Sequence, residues 1–172
     1  MLNEINVLNE MLIHVSFTTH QDPKRALVVG EHDANFQKHI NFYDIDVVYV
    51  RNLNEAANKK YDVVLCLEKI DKTDIEKINT MLQPEDSILC FPSNDVIQDI
   101  KIVSPFFWIA MPYHFYNSNA IFASKKYHPQ ADIRWSVSDM IPDTVYYTSE
   151  IQNCSFVYPK YYHDRLTGIA KR

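Results

Sequence analysis

At 172 residues, with 47% apolar and 13% aromatic side chains, the chain has the length for one domain with a real core and is too apolar for disorder. A net charge of −5 with no basic block speaks against a nucleic-acid reader, and no apolar run approaches the ~20 residues of a membrane helix. The acidic opening Met1-Leu2-Asn3-Glu4 lacks the basic start of a signal peptide, so the chain is read as cytoplasmic, with neither nucleic acid nor membrane as a partner.

Residues 3–17 carry Ile5, Leu8, Leu12 and Val15 at helical spacing, and His20-Gln21-Asp22-Pro23 ends the pattern. Residues 26–29 form a short continuous apolar strand, as in a parallel sheet covered on both faces. Gly30 follows, then Glu31-His32-Asp33. A strand that runs into glycine and then into an acidic helix start is the layout of a nucleotide-binding turn. Such turns usually hold several glycines, because the backbone takes positive φ and a ligand approaches closely. This chain has two glycines in all.

Residues 34–42 predict a helix with Phe36, His39 and Ile40 on one side, and 47–50 a second strand. A polar link or helical turn spans 54–60, and 62–67 is a third strand. Residues 71–82 are amphipathic, with Asp71 as cap and Ile75, Ile78 and Leu82 along one face. A fourth strand at 87–91 and a helix at 94–100 follow. The runs 106–111 and 120–124 predict an antiparallel hairpin at a sheet edge. Residues 139–143 are irregular, Thr148 or Ser149 caps a final helix, and Pro159 closes or redirects it.

The alternation predicts an α/β fold: a Rossmann-like, methyltransferase-type, mostly parallel sheet with helices on both faces and a C-terminal antiparallel hairpin. One domain covers 1–172. Ligands in such sheets bind beyond the carboxyl ends of the strands, so 30–33, 51–53 and 67–69 are expected to line that edge. Cys66, Cys90 and Cys154 read as free thiols, the first two buried in apolar runs. No cysteine or histidine spacing marks a metal site, and no serine sits in a nucleophile elbow.

Three stretches together resemble the spermidine synthases, the polyamine aminopropyltransferases. Asn9-Glu10-Met11-Leu12-Ile13-His14-Val15 is similar to the family's Y-H-E-M-L-x-H-V. Residues 23–33, from Pro23 through Gly30 to Asp33, resemble P-K-x-V-L-I-I-G-G-G-D-G. Residues 61–67 resemble Y-D-V-I-I-x-D, and 146–159 resemble Y-Y-N-x-E-I-H-x-A-A-F-x-L-P, the most specific of the set. The resemblance spans roughly 8–159.

It implies transfer of an aminopropyl group from decarboxylated S-adenosylmethionine to putrescine, releasing methylthioadenosine. No metal or separate cofactor is implied; a nucleoside and a polyamine are the implied ligands. The substrate-binding candidates are then Asn9, Glu10, Gly30, Asp33, Tyr146, Tyr147 and Glu150. The departures are several. Glu31, His32 and Ala34 replace glycines, Arg51 stands where an acid binds the ribose, and Leu67 stands at the expected general base. Glu68 is one position on, Asp71 could reach back from its loop, and Gln152 replaces a histidine. No catalytic residue is convincingly retained. The family's N-terminal β-rich domain has no counterpart before residue 8, and about ten residues replace several tens between Arg51 and Tyr61. Residues 47–50 stand for either of two family strands.

Each candidate has a structural alternative. Asp33 binds an amine or caps the next helix. Glu10 faces substrate or is a solvated helix glutamate. Of Tyr146 and Tyr147, strand alternation sends one to the core and one to the site. Glu150 lies in a helix first turn, where the dipole favours an acid. The aromatic run Phe106-Phe107-Trp108 fits a homo-oligomer contact or a sheet core equally. Function is therefore either aminopropyl transfer by a divergent enzyme or a non-catalytic binding or assembly module on the same fold.

Overall fold

Four short, β-branched runs bounded by turn residues become parallel strands. In the computed structural model, which describes residues 3–172, these are β1 (Arg25–Val29), β2 (Asp46–Val50), β3 (Val63–Cys66) and β4 (Ile88–Ser93). A hairpin of β5 (Ile109–Phe115) and β6 (Ser118–Ser124) completes a six-stranded sheet, ordered β2-β1-β3-β4-β6-β5. The first four strands pair in parallel; β6 pairs antiparallel with both β4 and β5. The chain leaves β1 for β2 on one side and returns to β3 on the other. That reversal is a topological switch point, the place where open α/β sheets bind ligands. Met1 and Leu2, read above for targeting, lie outside the described residues, and no described helix is long and apolar enough to cross a membrane.

Helices cover both faces. α1 (Glu4–Thr19) and α2 (Ala34–Ile40) pack on the face that carries Ala26, Val28, Val63, Leu65, Ile88 and Cys90. α3 (Lys72–Met81) and α4 (Val96–Val103) cover Leu27, Val64, Cys66, Leu89 and Phe91 on the other. Successive strand residues point to opposite faces, and both faces are buried, which is why these runs are apolar without alternation. Cys66 and Cys90 are buried free thiols, pushed up in pKa by desolvation, Cys90 to about 12. Cys154 is free and exposed.

β2 settles beside β1 in register Arg25 to Asp46 and lies at the sheet edge. It therefore takes the place of the strand that follows the glycine turn. The C-terminal region differs from expectation. After α5 (Trp135–Ser138), α6 (Ser149–Ser155) is capped by Thr148 as predicted, but it is not the final helix. Pro159 is the N-cap of α7 (Lys160–Leu166). A proline suits a helix start, where its missing N–H has no intrahelical acceptor anyway. Beyond α7, Lys171 and Ala110 exchange backbone hydrogen bonds of 2.9 and 3.0 Å, covering part of the β5 edge.

Asp71 is committed to structure. It accepts from Asp74 N at 2.9 Å while Asp74 accepts from Asp71 N at 3.1 Å, a reciprocal capping box. Asp71→Ala should lower stability by about 1 kcal/mol in a urea titration. An unchanged midpoint would show that the box contributes nothing in solution.

Candidate functional site

The turn after β1 keeps the one glycine that geometry demands. Gly30 has φ +114°, and its N–H reaches Val50 O at 3.0 Å, extending the β1–β2 ladder by one residue. A Cβ built there would sit 3.1 Å from Leu67 Cβ, so alanine would meet both strain and crowding. Gly30, Glu31, His32, Tyr49, Arg51 and Glu55 line an open cleft of about 460 Å3, within the range of small-ligand sites. His32 stacks on Tyr49, with centroids 4.4 Å apart and planes at 24°. Of the expected edge, 51–53 and Glu68 and Lys69 also meet Gly30 in a smaller adjoining cleft of about 150 Å3, whereas Leu67 opens elsewhere.

Leu67 is half-buried and held by its N–H to Val29 O at 2.9 Å. It and Leu8 line a second cleft of about 380 Å3, with Pro92, Ser93, Asn94, Asn117, Ser118 and Asn119. That lining contains no carboxylate and no amine. Glu68 is exposed and lines the smaller cleft on the other side of the strand.

The other candidates are engaged elsewhere. Glu10 is neither substrate-facing nor solvated: it is fully buried, and its carboxylate accepts the backbone N–H groups of Val145, Tyr146 and Tyr147 at 2.8–2.9 Å. Asn9, also buried, donates to Asp33 at 3.0 Å and Asn35 at 3.2 Å. Asp33 accepts from Phe36 N at 2.8 Å and is the cap of α2. The segment holding Tyr146 and Tyr147 is not a strand, and of the two only Tyr147 is fully in the core. Tyr147 is buried and donates to Gln152 Oε1 at 2.7 Å; Tyr146 is half-buried and accepts from Tyr116 N at 2.9 Å. Gln152 in turn donates to Thr19 Oγ1 and Pro129 O, so its place in the family's histidine position is structural. Glu150 is exposed in the first turn of α6.

A chain of buried rings lies behind Glu10. His14 Nδ1 is 2.8 Å from Tyr43 OH, His14 Nε2 is 3.1 Å from His39 Nδ1, and His39 Nε2 is 3.7 Å from Glu10 Oε1. With both rings neutral, the Glu10 carboxylate favours the proton of His39 on Nε2, which leaves Nδ1 to accept from His14 and His14 Nδ1 to accept from Tyr43. Burial holds the pKa of His14 well below the usual imidazole range, with His39 adding to the effect. Burial also lowers His39, against the opposing pull of Glu10.

The structure joins one group that no spacing could show. His20, Asp62 and Asp86 bring one ligand atom each within 4.8 Å of one another at the amino ends of the strands. The donors do not suit a metal. Asp62 Oδ2 already accepts from Lys24 N and Arg25 N at 2.8 Å. His20 Nδ1 accepts from Asp22 N at 3.2 Å, which puts the neutral ring's proton on Nε2 and leaves no lone pair there.

Reasoning from sequence missed Tyr49, His32 as its partner, and Glu55. A Tyr at the end of the second strand and an acid four residues past Arg51 were the available signals.

Two stability effects follow. Glu10→Gln puts an amide group against backbone donors and should cost about 2–4 kcal/mol in chemical denaturation. Because the His14 and His39 pKa values are depressed in the fold, their stabilisation is complete above the unfolded imidazole pKa of about 6.5 and is lost as pH falls toward their folded values. Stability should therefore decline from pH 7 to pH 5, by up to roughly 1.4 kcal/mol per pH unit for each histidine that must take up a proton. A flat profile over that range would contradict the neutral chain.

No protein-family model matches the chain. Among curated proteins, polyamine aminopropyltransferases from Helicobacter pylori (strain G27) and Helicobacter acinonychis (strain Sheeba) are each 23% identical over 198 residues, covering 92% of this chain and 76% of the relative. Since 198 exceeds the 172 residues present, the relatives carry interior residues that this chain lacks. The spermidine synthase from Thermotoga maritima matches in fold with a TM-score of 0.68 at 19% identity, covering 94% of this chain and 74% of that one. A spermidine synthase in complex with the transition state analogue AdoDATO gives 0.70 at 18% identity, covering 94% and 75%. A release-factor-specific protein-(glutamine-N5) methyltransferase from Alicyclobacillus acidocaldarius shares the Rossmann-like core more loosely, with a TM-score of 0.52 at 11% identity over 73% of this chain and 94% of that one. The chain is thus similar in sequence to polyamine aminopropyltransferases over 92% of its length and shares the fold of the spermidine synthases.

Proposed function

We propose that this protein binds a nucleoside of the methylthioadenosine type at the Gly30 cleft and does not itself transfer aminopropyl groups. One observation carries the reading: Leu67 occupies the expected base position and opens onto a cleft whose polar lining is neutral. Aminopropyl transfer is a displacement at the carbon next to a sulfonium. The attacking amine must be neutral, so a nearby acid has to take its proton, and further acids have to hold the diamine's distal ammonium. Leucine accepts no proton, and loss of a general base typically costs about 10²–10⁴ in rate. Serine and asparagine side chains can solvate an ammonium but cannot neutralise it, and burying an unpaired cation costs several kcal/mol.

Three of the acids that could be rearranged into a new constellation are otherwise occupied, and Glu68 opens onto the smaller cleft away from Leu67. Glu10 holds three amides, Asp33 caps α2, and Asp71 caps α3. The nucleoside side has kept more. Gly30 has its positive φ, the Tyr49–His32 pair offers a stacking surface, and the cleft is the largest of the three at the carboxyl edge. The likeness to a spermidine synthase bound to a transition state analogue supports the ligand class.

Calorimetric titration with methylthioadenosine should give measurable heat, and a transfer assay with decarboxylated S-adenosylmethionine and putrescine should give no spermidine above background. Turnover would establish the enzyme reading instead. Absence of binding by the folded protein would remove the nucleoside from the account.

A further inference from the structure

We propose that Glu55 is the ribose-facing acid of the Gly30 cleft, replacing the carboxylate that Arg51 displaces. The assignment rests on reading that cleft as a nucleoside site. In dinucleotide-type sites an acid at the end of the second strand takes hydrogen bonds from ribose hydroxyls, across from the glycine turn. Here β2 ends at Val50, and the next residue, Arg51, offers five donors and no acceptor. The vicinal hydroxyls of a ribose would find nothing on that side chain to accept their protons.

The chain returns an acid to the same place. Asn52 Oδ1 accepts from Asn54 N at 3.0 Å and starts the single 3-10 turn Leu53–Glu55. That turn is anchored: Leu53 is buried against the α3 side of the sheet, and Lys77 Nζ donates to Asn54 Oδ1 at 2.8 Å. The turn folds the Glu55 side chain back toward the strand end. Its Oε2 accepts from Arg51 N at 3.1 Å, and its Oε1 accepts from Asn52 Nδ2 at 2.6 Å. The carboxylate therefore lies one hydrogen bond from the backbone of the residue that should have carried the acid. Two contacts fix its orientation, and each oxygen keeps a second lone pair for a hydroxyl. Glu55 is exposed and lines the same cleft as Gly30 and Tyr49, so those lone pairs are open to a ligand. The acid has moved four residues along the chain while its charge has stayed at the strand end.

The test is a cycle between side chain and ligand hydroxyls. Wild type and Glu55→Gln are each titrated with methylthioadenosine and with its 2′,3′-dideoxy analogue; Glu31→Gln, which removes another acid of the same cleft, is the control. Wild type should prefer the hydroxylated ligand by about tenfold to a hundredfold, the range for hydrogen bonds to a charged acceptor. Glu55→Gln should lose most of that preference while binding the dideoxy analogue as wild type does. Glu31→Gln should keep the preference. Equal weakening of both ligands in Glu55→Gln would mark a purely structural role in the turn, and a preference undiminished in Glu55→Gln would place the hydroxyls elsewhere; either result overturns the assignment. Failure of wild type to bind either ligand would instead overturn the nucleoside reading, and this assignment with it.

Discussion

A buried carboxylate organises this molecule. Glu10 sits on the one helix that is enclosed on nearly every side, and it takes three consecutive backbone N–H groups from 145–147. Moving a carboxylate out of water costs several kcal/mol, which only good geometry and full hydrogen bonding offset. Three charge-assisted bonds supply that geometry and fix a non-regular segment that has no strand to hold it. From there the constraint spreads. Tyr147 is placed to bond Gln152 and contact Thr18, and Gln152 ties α6 to the end of α1. On the other side, Asn9 binds the α2 cap, and His39 of α2 approaches Glu10 itself. The position of the turn that follows Gly30 is therefore set partly by α1.

The same commitment bears on chemistry. An acid bound by three amides has little capacity left for a substrate ammonium, and its full burial keeps it from either large cleft at the carboxyl edge. Leu67 acts in concert. Its Cβ lies 3.1 Å from where a Cβ on Gly30 would sit, so side chain meets bare backbone at this point. An aspartate at position 67 would place a charge at that narrow contact. The glycine is retained in the turn because of this contact and its positive φ, which explains why it survives where its neighbouring glycines do not.

The fold was legible because both faces of the sheet are covered, giving each parallel strand an unbroken apolar run and each helix a polar break before it. Asp71, Thr148 and Asp33 were recognisable as caps from their position before apolar spacing began. The site was less legible, since its decisive contacts are long-range. Nothing within a helix turn of Glu10 indicates that residues 145–147 will meet it, and a glutamate at that point reads equally as substrate-facing or solvated. His20, Asp62 and Asp86 are likewise separated by tens of residues and meet only because three strands begin side by side. Pro159 was ambiguous for a local reason: a proline ends one helix and starts another with equal ease. Glu55 was hidden by a short turn whose reversal depends on Asn52 and a buried Leu53.

The two large clefts differ in kind, and their difference follows from what each ligand would demand. A nucleoside is held by stacking, shape and a few hydrogen bonds, all of which tolerate substitution: a histidine on a tyrosine serves as a flat surface, and a carboxylate can arrive from four residues away. A diamine about to react requires charge at fixed points, since an ammonium must be neutralised at one end and deprotonated at the other. Charge cannot be replaced by neutral polarity, so on the proposed reading a single leucine at the base position would cost the transfer site more than several lost glycines would cost the nucleoside site. Divergence on this fold is thus expected to extinguish transfer before it extinguishes recognition, and the neutral lining of the Leu67 cleft beside the charged, aromatic lining of the Gly30 cleft has that form.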